Sequence, residues 1–163
     1  MRTDELAKTL TRLYSELVSG THPQGGFILN PHDAGLLRSL DTLSSADASR
    51  AVNDGATIAA HAQHLRYGLS LMNEWGKNGG NPFANANWGE AWKVTTVDDA
   101  QWREIRSGLA EETRRWLGVL EAPREVIDIE LMGMVGSIAH LAYHLGAIRQ
   151  INKGTRGPRE GTS

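Results

Sequence analysis

His140 and His144 stand four residues apart in the stretch MGMVGSIAHLAYHLGAIRQI, residues 132–151. Four residues of helix advance about 400°, so two such side chains share one face, a turn apart. Neutral imidazole is a common ligand for borderline divalent metals, and three imidazoles with one open position make a catalytic zinc arrangement. The pair supplies two ligands from one helix. A third has to come from elsewhere, and His61 and His64 are the candidates, in TIAAHAQHLRYGL, residues 57–69. His22 and His32 lie in a segment with Pro23, Gly25, Gly26 and Pro31 and read as solvated loop residues. A lone inward histidine is more often a hydrogen-bonded core residue. From spacing alone, metal binding therefore competes with four ordinary bundle histidines.

The elements that must position these residues are helices. Met134, Ile138, Leu141, Leu145 and Ile148 step by four, three, four and three, the apolar stripe of an amphipathic helix from about Val126 to Ile151. His140 and His144 border that stripe, with Gly133, Gly136, Ser137 and Ala147 leaving room nearby. Ile58, Ala62, Leu65, Leu69 and Met72 make a second stripe over Thr57 to Trp75, flanked by His61 and His64. Leu6, Leu10, Leu13 and Leu17 mark a helix from Asp4 to Val18, with Thr3 as its N-cap and Gly20 as its stop. Trp102, Ile105, Leu109, Trp116 and Leu120 mark another over Val97 to Leu120, opened by a Thr96–Asp99 capping box.

Leu36, Leu37 and Leu40 predict a short extra helix within Asp33 to Leu43, and Ser44 to Asp54 is weakly patterned. The connection from Gly76 to Thr95 is long for a bundle and carries GKNGGNP, Trp88 and Trp92. Its lysine precedes the glycine pair, so the phosphate-loop pattern is not met. Tryptophans in such a loop more often pin it to the body than face a ligand. No stretch alternates with period two. The expected fold is all-α, a bundle of four amphipathic helices.

Composition removes other functions. The chain has 163 residues, a formal charge of −2 and no cysteine, which excludes disulfides, thiolate metal sites and a cysteine nucleophile. No basic block supports nucleic-acid binding. The N-terminal MRTDELAKTL does not read as a signal peptide, and no apolar run is expected to span a membrane. A cytoplasmic protein is the expectation. Residues 1–152 are expected to form one bundle domain, and the polar stretch 153–163 a flexible tail that frays from about Asn152.

TIAAHAQHLRYGL resembles the first metal-binding helix of the DinB-like (YfiT-like) bundle family, and IAHLAYHLGAIRQI resembles that family's final helix. The order and separation of the two segments also match, so the resemblance covers most of the chain. It implies a four-helix bundle of that type, binding nickel or zinc through three histidines. Carried over residue by residue, the ligands are His64, His140 and His144; the count from Thr57 selects His64 over His61. The family's pair is often followed by Gly-Gln, whereas here Gly146 is followed by Ala147. The resemblance further implies a homodimer, to which Trp88, Trp92 and the glycine-rich connection would contribute, and in part of the family an S-transferase or isomerase activity with a low-molecular-weight thiol.

Three neutral imidazoles leave a metal its full charge and an open position. A thiol there loses its proton far below its free pKa of about 8.5, and a water behaves similarly. The expected function is therefore metal-dependent, a thiol S-transferase or a hydrolase acting on a small molecule. His61 would support the ligands or handle protons. The alternative is a metal- or ligand-binding bundle without catalysis, in keeping with the lack of a carboxylate near the histidines. Glu130, ten residues before His140, is nearly three turns away.

Overall fold

Leu10, Tyr14 and Leu17 recur on one side of the first helix and are buried, which draws α1 (Asp4–Ser19) onto the core. Gly20 ends it at φ +93°, a conformation that a Cβ disfavours, with its N–H donated to the Glu16 carbonyl. The computed structural model describes residues 4–158, so the expected Thr3 cap lies outside the described residues. Beyond α1 come α2 (Gly35–Asp41), α3 (Ser45–Ala48), α4 (Ile58–Asn78), α5 (Trp88–Trp92), α6 (Asp99–Glu121) and α7 (Asp128–Ile151). Short 3₁₀ turns occupy Pro82–Asn85 and Lys153–Thr155. The chain is all-helical; among the described residues the only β-type pairing is an isolated bridge between His22 and Gly25.

The four long helices surround one core. α4 packs most extensively on α6 and also on α7, while α1 packs on α6 and α7. Every residue of the stripe on α7 is buried, as are Trp102, Ile105, Leu109, Trp116 and Leu120 on α6. Glycines allow the closest approaches: a Cβ on Gly76 would press on Val119, and one on Gly108 would run into Arg66.

The helix starts are set by capping rather than periodicity. Thr57 caps α4 by accepting from the Ala60 N–H at 3.2 Å. α6 begins two residues later than its apolar pattern implies. Its capping box is Asp98 with Gln101, not Thr96 with Asp99: the Gln101 amide oxygen reaches back to the Asp98 N–H at 2.9 Å. Ser44 and Asp47 form a second box that starts α3, so the first long connection holds two short helices instead of one. α7 starts at Asp128, where the Glu130 carboxylate accepts from the Ile127 N–H.

The loop after α1 is tied down by Glu16, whose buried carboxylate accepts from the backbone N–H groups of Phe27, Ile28 and Leu29. Asp33, also buried, accepts from Arg149 near the end of α7 at 2.7 Å. Beyond α7 the chain makes a 3₁₀ turn over Lys153–Thr155. Thr155 is buried, with its hydroxyl donated to the Asn152 carbonyl, and the Pro158 carbonyl accepts from the Asn30 side-chain amide. Residues 159–163 lie outside the described residues.

Leu131 to Ile148 carry no Asp, Glu, Lys or Arg, since the charges of α7 sit at its ends. By length and composition alone, α7 is therefore long and apolar enough to cross a membrane, contrary to the expectation that no run would be. Its inward stripe is buried against the other helices.

Candidate metal centre

α4 and α7 lie side by side and turn four histidines toward each other. His140 Nε2 is 3.2 Å from His64 Nε2 and 2.9 Å from His144 Nε2. On the far side of the His144 ring, Nδ1 is 2.8 Å from His61 Nδ1. His61, His64 and His144 are buried, while His140 is the most open of the four.

This packing leaves a hydrogen-bonding deficit. Each in-plane imidazole nitrogen carries either one N–H or one lone pair. His140 Nε2 faces two nitrogens and can pair with only one of them. The buried Nδ1 of His64 also has no hydrogen-bond partner. A cation among the three Nε2 atoms removes the first conflict, because every lone pair then has a use. Two nitrogens at about 2.0–2.1 Å from one tetrahedral ion stand roughly 3.3 Å apart, close to the separations seen. His64, His140 and His144 thus form a group that could hold a metal ion, with no carboxylate among its members. The donor set suits zinc, nickel or a similar borderline ion.

His61 takes a different place. With His144 Nε2 turned to the group, its Nδ1–H is free to donate to His61 Nδ1, which fixes the tautomer and orientation of the ring. The two α4 histidines left open by spacing are therefore separated in space: His64 joins the group and His61 stands behind His144.

The cluster favours uncharged rings. Burial first, then the neighbouring His140 and His61, push His64 down to about 4. Burial, with His140, His61 and His64 beside it, pushes His144 down to about 3. Burial lowers His61 and His140 as well. Each shift favours the neutral ring, the state in which imidazole ligates.

The roof comes from the connection between α4 and α6. Trp92 stacks on His64 with ring centroids 4.4 Å apart, and it meets His61 edge-on at 5.3 Å. Trp88 lies 5.4 Å from His64 and is flanked by Tyr67 and Phe83. These tryptophans pin the loop, as such residues commonly do, and the surface they pin it to is the histidine cluster. Their spacing in NWGEAW, four apart like the histidine pair, was the available signal for a helical turn there. His22 and His32 are exposed and are not members of the group. Glu130 is engaged at the start of α7.

Comparison with known protein families, curated proteins and solved structures gives no match to this chain.

Proposed function

We propose that the chain is a divalent-metal protein of the DinB-like (YfiT-like) four-helix bundle type, with His64, His140 and His144 as ligands and zinc or nickel as the ion. The observation that carries this reading is the convergence of three Nε2 atoms in which His140 cannot satisfy both neighbours by hydrogen bonding. The sequence resemblance points to the same three residues.

A divalent ion held there supplies Lewis acidity, which lowers the pKa of a thiol or water at its open position. The protein's own residues do the rest. His61 orients His144, Trp92 holds the plane of His64, and the two tryptophans keep bulk water off the buried side of the cluster. His140, the most open of the four, marks the side from which a small molecule enters. The reaction this favours is attack on a small electrophile, by a low-molecular-weight thiol in an S-transferase or by water in a hydrolase. The absence of a carboxylate from the group favours the thiol route, since a thiol gives up its proton more readily than water and needs less help from a base.

Cobalt substitution followed by titration with 2-mercaptoethanol tests this function. A sulfur-to-cobalt charge-transfer band that appears in the parent and is lost in His140→Ala is expected. Tightly bound cobalt with no spectral response to thiol or to competing anions would favour the alternative, a metal-binding bundle without catalysis.

A further inference from the structure

Beside His140, between α4 and α7, lies a cavity of about 270 Å³. Leu69 and Met72 wall it from α4, Phe83 and Trp88 from the connection, and Leu141 from α7, with His140 also on its lining. No charged side chain lines it. Besides the Trp88 ring, whose indole carries one N–H, the other polar side chain is Ser137, whose hydroxyl already donates to the Met134 carbonyl at 2.7 Å and accepts from the Trp116 indole N–H at 2.8 Å. A ligand inside therefore finds few hydrogen-bonding groups, His140 at one end and the Trp88 indole on the wall. Past Met72, Phe83 and Gly133, which are shared, a second hollow of about 650 Å³ continues to Ile127 and Glu130.

Three glycines line the first cavity, and they differ in a telling way. A Cβ on Gly133 would collide with the Trp75 ring, and one on Gly68 would touch Trp88 and His140 at 3.6 and 3.9 Å. A Cβ on Gly136 would meet nothing within 4 Å. Packing does not require glycine at Gly136, and glycine weakens a helix interior relative to alanine. What its missing side chain does accomplish is to keep the cavity clear.

We infer that this cavity seats the uncharged, apolar part of the substrate, an alkyl chain or a flat aryl group, with the reacting head at the His140 end. The placement of the head rests on the metal reading above; the cavity itself does not. A charged or sugar-like body would lose its hydration here with too few partners in return. An apolar one gains with each methylene buried, by about fourfold in affinity.

Two measurements test the inference separately from the metal site. In the cobalt-substituted protein, the series from ethanethiol to hexanethiol should tighten by about fourfold per methylene. Gly136→Leu should flatten the series. A flat series in the parent, or the parent's slope in the variant, overturns the inference. In the metal-free protein, the uncharged dye N-phenyl-1-naphthylamine should brighten on binding and lose that response in Gly136→Leu. No response, or an equal response in both, overturns it. Dye binding sensitive to Gly136→Leu in a protein that takes up no cobalt would uphold the pocket while defeating the metal reading. Helical content is checked for each variant, and Gly136→Ala, which adds only the Cβ that meets open space, gives an intermediate loss if the leucine variant does not fold.

Discussion

His140 Nε2 has a single in-plane position and two imidazole neighbours, and that conflict is the basis of the metal proposal. His61 shows how finely it is divided. His61 and His64 are three residues apart on the inner side of α4, so spacing alone left both open as the third ligand. The structure separates them by the atoms they present: His64 turns Nε2 to the group, and His61 turns Nδ1 to the back of His144. That distinction depends on how α4 is rotated against α7, which no local pattern encodes. His61→Ala should therefore retain metal with affinity weakened by about 10- to 100-fold, the usual loss for a partner behind a ligand. A competitive chelator titration measures it, and complete loss of metal would make His61 a ligand. The depressed histidines also set a pH dependence for the metal-free protein. An unfolded histidine titrates near 6.5, while His64 and His144 titrate at about 4 and about 3 when folded. Between those values the unfolded chain binds more protons, so stability rises with pH. This contribution is fully present above about 6.5 and is lost as pH falls toward the folded values. Melting of the metal-free protein at stepped pH should show this slope, and His64→Asn should make it shallower. An identical slope in the variant would contradict the account.

The long helices were legible because each carries an apolar stripe long enough to define a face. The stripes on α6 and α7 are buried in full, residue for residue. Leu141 belongs to this frame, fully enclosed one position after His140. Leu141→Ala should cost about 2–5 kcal/mol in denaturant unfolding. A loss below about 1 kcal/mol would mean that the stripe is less tightly packed than the structure shows. The short helices α3 and α5 were not legible as such. In α3 local capping at Ser44 and Asp47 makes the turn, and in α5 the four-residue spacing of Trp88 and Trp92 is too short a signal to define a face until the two rings pack onto the site. The capping box of α6 shows the same limit. The sequence pattern pointed to Thr96 with Asp99, whereas the structure uses Asp98 with Gln101, whose amide oxygen accepts from the Asp98 N–H.

The whole molecule keeps one apolar face uncovered. Ile129, Met132, Val135 and Tyr143 on α7 are 54%, 61%, 49% and 71% exposed, in a helix whose middle has no charge. A continuous apolar strip of this kind commonly marks an interaction surface. It supports the expected homodimer better than Trp88 and Trp92 do, since those face the histidines. Light scattering should give a dimer mass that Met132→Asp lowers toward the monomer; a monomer mass at high micromolar concentration would contradict it. The same bundle brings α4 and α7 together so that His64 meets His140 and His144, 76 and 80 residues further along the sequence; that they hold a metal ion is the central proposal. Elemental analysis of freshly purified protein, set beside His140→Ala purified in parallel, tests it most directly. The account predicts about one zinc or nickel ion per chain in the parent and little in the variant, with helical content unchanged. Equal metal content in both, or none in the parent even after zinc or nickel is supplied, would contradict it.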